Sequence, residues 1–534
     1  MNRILFFTYF TALLVFTAHA QVEGEDYKII PVNKQIKELA DIQDNKPPLN
    51  TFVAYVYAVV NERWKVTDSL SSIMLIARPN KPKNEEYKEW LLNRTVKELI
   101  ITKDSIAGVI LTLDDLQTIW YFRLENGRWV NAGEDYGGRN MEETRLVFLK
   151  KAEIHLQSVR KIMQLGEMST DTAAFVSYLR EKGKSSGEFL LEALSHHKLV
   201  VYGEIHYRGA SWNLMKKLIG RTEFSQSVGT VFLELSMSAQ VDIDRFFNSK
   251  TKDSGIILDI LRKEEVTGWN DRGMYEFLLD LWDVNEQLLP ENKIKVIAVD
   301  FPRPFYMPIT TKEQYAAFFK ALPDRNVCMA DVIEQHIHSS VDKRNCLFIV
   351  GIGHAYKSLA LNRGDFQKTG RSAVSLLLEK WPGESVFSIM SHCPMLANNG
   401  YLYGKLRKGL FDYVFAIAGN KPVAFNLQDS PFGRELFDAD AAICFQTITG
   451  SYENNYDGYI FLEPLDTEQT NSHLYELYTD DFVAEIKRRA SLMEIENDVY
   501  FGMMVKDLNR EHVISNLKRD EGRIRWNFSQ SVYR

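Results

Sequence analysis

Only four cysteines occur in 534 residues: Cys328, Cys346, Cys393 and Cys444. None stands in a Cys-x-x-Cys pair, which excludes a zinc ribbon and a dense disulfide framework. One or two disulfides stay open to an exported chain, and small buried thiols in apolar segments are the other reading. Basic charge is also scarce. The 64 Lys and Arg against 71 Asp and Glu leave a net charge of −7 with no basic stripe, which argues against nucleic acid or anionic lipid as the main partner. Beyond the first twenty residues no apolar run is long enough to span a membrane. His-Glu-x-x-His, Walker and dinucleotide glycine motifs are missing, as are internal repeats and low-complexity blocks.

What is present begins with Met1-Asn2-Arg3, an apolar run from Ile4 to Val15 and the ending Ala18-His19-Ala20. One basic residue, a short apolar core and an Ala-x-Ala site predict a Sec-type signal peptide over residues 1–20. Cleavage would leave a chain starting at Gln21, periplasmic or secreted, and no Cys near the cut offers a lipid anchor. With 45% hydrophobic and 12% aromatic residues the chain can bury ordinary cores, and its length calls for two or three domains. The pattern predicts an α+β domain over 21–164, an α/β domain over 165–466 and a helical, charged extension over 467–534.

In the first domain a helical pattern over Leu49–Arg63 precedes strands at Ile106–Thr112, Thr118–Leu124 and Trp129–Ala132. Asn126-Gly127 reads as a hairpin turn, because both residues accept the positive φ such turns need. The stretch from Trp120 to Trp129 resembles the final hairpin of a small nuclear-transport-factor-2-like domain. That resemblance implies a binding or spacer module.

From about Thr170 short Val- and Ile-rich runs alternate with helical stretches: Leu199–Tyr202, Thr230–Leu233, Ile294–Val299, Leu347–Val350 and Val386–Ile389. Strands apolar on both faces and separated by helices predict a mostly parallel β-sheet flanked by helices. The runs Tyr413–Ala418 and Tyr459–Leu462 are expected to continue it. Ligands bind beyond the carboxyl ends of strands in such sheets. Each of the five strands runs into polar residues: Gly203-Glu204-Ile205-His206, Glu234, Asp300-Phe301-Pro302-Arg303, Gly351-Ile352-Gly353-His354 and Ser391-His392. Glu and His are costly beside apolar runs unless they are partnered or used.

Gly203 allows a tight strand exit, and Glu204 and His206, two apart, project to one side of an extended segment. A carboxylate beside an imidazole fixes its tautomer and raises its basicity, which suits a general base acting on water; the same pair could supply two ligands to a metal. Gly183-Lys184-Ser185-Ser186-Gly187 matches the nucleophile-elbow pattern, but a helical stretch and no strand precedes it. No serine nucleophile stands in a convincing context.

Four ordered motifs, Val200–His206, Phe232–Glu234 with Gln240 and Asp244, Val296–Arg303, and Gly351–Ala355, resemble the superfamily joining erythromycin-esterase-like hydrolases, ChaN-like haem-binding proteins and Tiki-type metalloproteases. Asp324-Arg325 with Met329-Ala330, Thr369-Gly370 and Trp381-Pro382-Gly383 are similar to the esterase branch. The Gly-Glu-x-His spacing follows the ChaN-like branch, and Asn326 stands where an Asp is expected. The resemblance implies a hydrolase in which Glu204, His206, Glu234 and His354 carry the chemistry on an ester or related acyl substrate. Tyr207, Arg208, Asp300, Arg303, Arg325 and His392 would contact the substrate, with Arg303 or Arg208 facing a developing oxyanion. The alternative it implies is a haem or iron carrier using the same cleft, with Tyr207 or a His as axial ligand, so the cofactor stays open between a divalent metal and haem.

Overall fold

The computed structural model describes residues 23–520, apart from short stretches of which the longest are 71–84, 153–170, 362–369, 395–404 and 438–450. The expected signal peptide lies outside the described residues. The chain divides into two compact units, one of residues 1–58, 64–72 and 89–156, the other of 59–63, 73–88 and 157–534.

The first unit is a five-stranded antiparallel sheet, β1 (Tyr27–Gln35), β2 (Thr95–Thr102), β3 (Ile106–Leu113), β4 (Leu116–Glu125) and β5 (Arg128–Tyr136), paired in sequence order. The last hairpin closes with Glu125 opposite Arg128, and Gly127 takes φ +76°. Helix α1 (Leu49–Val60) sets Phe52 edge-on against Trp120 at 5.4 Å and Phe122 at 6.1 Å.

The second unit holds a seven-stranded sheet. Its strands are β6 (Leu199–Glu204), β7 (Val228–Ser236), β8 (Lys295–Asp300), β9 (Asn345–Gly351), β12 (Val386–Ser391), β13 (Val423–Asn426) and β14 (Gly458–Phe461), in the order β13-β14-β12-β6-β9-β7-β8. The pair β10 (Ala360–Leu361) and β11 (Gly370–Arg371) forms a separate ribbon. All neighbours in the main sheet are parallel except β13 on β14. Alternation along each strand feeds two cores. Val200, Tyr202, Val231, Leu233 and Ile349 pack on one face with Trp212 and Phe277, while Leu199, Val201, Phe232 and Phe348 pack on the other with Met329 and Ile333. Each such large side chain contributes about 1.5–3 kcal/mol on full burial. That two-sided cover is why these strands carry no polar alternation until their ends.

Four helices matter to the site: α2 (Gly209–Ile219), α3 (Ser254–Glu264), α4 (Arg272–Glu286) and α5 (Arg325–Ser339). Asp271 caps α4, accepting from the backbone N–H of Gly273 and Met274, and its other oxygen accepts from Trp212 Nε1 of α2 at 2.9 Å. Asp324 caps α5 in the same manner, accepting from Asn326 N at 2.9 Å and Val327 N at 3.1 Å. No described helix is long and apolar enough to cross a membrane.

One expected strand is a helix. Tyr413–Ala418 falls in the helix Leu410–Ile417, which buries Leu410, Phe411, Val414 and Phe415 and exposes Tyr413 and Ile417. The burial period is helical, and the aromatic, β-branched composition of the run masked it. Cys328 and Cys346 are buried free thiols, Cys393 is buried, and Cys444 lies outside the described residues. Ser185 caps the helix Ser186–His196 and follows the helix Thr172–Lys182, so the Gly-x-Ser-x-Gly match has no elbow geometry.

Candidate functional site

The carboxyl ends of β6, β7, β8 and β9 gather most of the expected residues. Glu204 ends β6 fully buried, and His206 follows with its side chain 34% exposed. His206 Nδ1 lies 2.5 Å from Glu204 Oε1, so it donates to that carboxylate and Nε2 points onward, 3.8 Å from Glu234 Oε1. Glu204 Oε2 is buried and accepts from no described residue. Burial opposes a charged imidazole. The fields of Glu204 and Glu234, with the Glu204 hydrogen bond and Asp271 behind, outweigh that and raise His206 to about 10. His206 therefore rests as an imidazolium at neutral pH.

Glu234 is the shared counter-ion. It sits where β7 carries one residue more than β8 between the pairs Leu233–Ala298 and Ser236–Asp300, a bulge that re-aims a side chain at the strand end. Its Oε2 accepts from Gly351 N at 2.6 Å, and its Oε1 accepts from Arg325 Nη2 at 2.5 Å. The same Oε1 faces His354 Nε2 at 3.4 Å. Burial alone would raise this carboxyl, but His354, His206 and Arg325 hold it well below the usual carboxylate range. His354 donates from Nδ1 to Asn326 Oδ1 at 2.6 Å. A Cβ on Gly351 would stand 3.1–3.2 Å from His206 Cε1 and Nε2 and from Glu234 Oε2, so only glycine lets the strand end approach this closely.

Asp300, at the end of β8, anchors the arginines. It accepts from Arg325 Nε at 2.7 Å, Arg325 Nη2 at 2.6 Å and Arg303 Nη2 at 3.0 Å. Both guanidinium groups lie over the Phe301 ring, at 4.6 Å for Arg303 and 5.6 Å for Arg325. Asp300 and Arg325 thus hold Glu234 in place. Arg303 leans on Glu264 of α3, a buried carboxyl that accepts from Tyr306 Oη at 2.8 Å and Ser236 N at 3.1 Å. Burial raises Glu264 to about 7 despite those partners.

Two expected residues lie in other surroundings. Arg208 is buried, bonded from Nε to Glu468 and from Nη1 to the backbone oxygen of His392 at 2.5 Å. His392 is buried too, with Nδ1 2.6 Å from Tyr459 Oη, Nε2 3.6 Å from Asp412 and the rings of Phe415 and Phe461 around it. Tyr207 stays by His206 and is 37% exposed. Sequence reasoning did not single out Trp269, whose ring meets His206 edge-on at 5.0 Å, or Glu264, and it noted Asn326 only as a departure from a motif. No pattern flags Trp269, which lies in an irregular connector.

Among the described residues no three His, Cys, Asp or Glu side chains are arranged to hold a metal ion. Glu234, the central acid, is already taken by a guanidinium.

No family model matches the chain, and no curated protein does. Among solved structures it is similar to a succinoglycan biosynthesis protein (TM-score 0.40, 10% identity, covering 56% of this chain and 98% of that one). It is similar to a mutant erythromycin esterase, EreC, in its open conformation (0.35, 10%, 51% and 92%) and to heme-bound ChaN of Campylobacter jejuni (0.27, 17%, 41% and 91%).

Proposed function

We propose that this chain is an exported hydrolase that activates water with the Glu204–His206 pair for attack on an ester or related acyl bond. The observation that carries the reading is that both nitrogens of the partly exposed His206 face carboxylates, Glu204 at Nδ1 and Glu234 beyond Nε2. Such an imidazole is a stronger base than a free one, and it must first lose its resting proton. Neutral His206 then takes a proton from water at Nε2 as the oxygen bonds to the acyl carbon. The tetrahedral intermediate collapses by breaking the bond to the leaving oxygen, which takes that proton back. Arg325, fixed by Asp300 and Glu234 with its side chain 25% exposed, supplies positive charge for the oxyanion. One such donor is worth about 2.7–4 kcal/mol in other hydrolases. Arg208 is spent on Glu468 and takes no part.

Hydrolysis of 4-nitrophenyl acetate and butyrate tests the reading. The rate constant kcat/KM should climb with pH towards about 10, the value of His206. His206→Gln, folded by circular dichroism, should lose about 10²–10⁴-fold. Equal turnover by that variant, or none by the parent, would sink the proposal. Export is tested by sequencing the N-terminus of the mature chain, expected at Gln21.

A further inference from the structure

Tyr207 has φ +68°, in the left-handed region that bulky side chains avoid, and it lies between two anchored residues. His206 is tied to Glu204 on one side, and Arg208 is locked to Glu468 and the His392 backbone on the other. The backbone is therefore forced here, and glycine or asparagine would meet the turn at less cost. A tyrosine stands there instead. Its ring is 6.3 Å from the His206 ring and 6.5 Å from Trp269, which closes a three-ring cluster with the 5.0 Å His206–Trp269 contact. Trp269 is 2% exposed, so Tyr207, at 37%, is the aromatic member of that cluster with surface to offer.

We propose that Tyr207 is a specificity-determining residue, its ring the platform beside His206 on which a cyclic part of the substrate stacks. This rests on the hydrolase reading and narrows it to esters bearing a ring. The phenol is neutral at pH 7, since a tyrosine ionises only at about pH 10. A strained residue retained next to a reacting group is a common sign of function, and its removal exchanges activity for stability.

Three variants test this: Tyr207→Asn and Tyr207→Gly accept the left-handed backbone, and Tyr207→Phe keeps the ring and the strain. Tyr207→Asn is the cleaner stability probe, because glycine also loosens the unfolded chain. The Asn variant should melt a few degrees higher than the parent, and the Phe variant at the parent's temperature. The ratio of kcat/KM for 4-nitrophenyl benzoate over 4-nitrophenyl acetate should drop about tenfold in Asn and Gly, through KM, and hold in Phe. Binding of benzyl alcohol, followed by NMR without turnover, should weaken in the same two variants. An Asn variant no more stable than the parent, or a benzoate preference that survives in Asn and Gly, overturns the proposal. A parent that cleaves neither ester overturns the hydrolase reading instead, and benzyl alcohol binding then decides on the platform alone.

Discussion

Asn326 accepts a hydrogen bond from His354 at 2.6 Å, and that contact separates the two histidines around Glu234. His206 has a carboxylate on both sides, whereas His354 has an amide oxygen at Nδ1 and the shared Glu234 at Nε2. An amide fixes ring and tautomer without the field of a full charge. Asn326→Asp should therefore raise the midpoint of His354 by about one unit or more, read from its ring signals in an NMR titration. An unchanged midpoint would mean that Asn326 does not face His354 in solution.

Arg325 bridges Glu234 and Asp300, both buried. Removing one partner of a buried pair leaves the other charge uncompensated, so Arg325→Gln should cost about 3–5 kcal/mol in urea unfolding. Arg325→Lys should recover only part of this, since an ammonium cannot present the two-pronged geometry that reaches both acids. Full recovery by lysine would show that charge alone suffices.

The gathering of polar strand ends was legible in the sequence. Glu204, Glu234, Asp300 and His354 end or closely follow runs buried on both faces, where such groups are costly unless partnered or used. Their division of labour was not legible. Arg325 bonds Asp300 and Glu234 as well as keeping an exposed edge, links set by distances across 25 and 91 residues of chain. Arg208 looked equally available until Glu468, 260 residues later and just beyond the expected domain boundary at 466, closed on it. The helix Leu410–Ile417 was hidden by residues that favour strands, although its buried positions follow a helical period.

Gly351 sets the approach of β9 to His206. Gly351→Ala would bring a methyl group to 3.1 Å from His206 Cε1 and 3.2 Å from Nε2, so the ring must move by a few tenths of an ångström. The backbone conformation suits alanine, and the fold should survive. Activity on 4-nitrophenyl acetate should fall about tenfold, since small displacements of reacting groups cost rate steeply. Unaltered kinetics would place the working atoms of His206 away from the strand end.

Glu264 gives the second unit a pH dependence opposite to that of Glu234. Glu234 is depressed when folded, so its contribution is present above the ordinary carboxylate range and is lost on acidification. Glu264 is raised to about 7, so its contribution is full below the unfolded value of about 4.3 and is lost as pH rises through 7. At pH 8 the folded chain must hold this carboxylate charged in the core, with Arg303 3.9 Å away as partial compensation. Glu264→Gln keeps an oxygen for the hydroxyl of Tyr306, gives up the acceptor for Ser236 N and removes the charge. The stability of the variant relative to the parent should rise between pH 4 and pH 8 by up to roughly 3 kcal/mol, the scale of a shift of two to three units in a buried carboxyl. Paired urea titrations at the two pH values measure the difference. A relative stability that does not rise between the two pH values would mean that the Glu264 carboxylate and Arg303 hold each other more tightly than their separation implies.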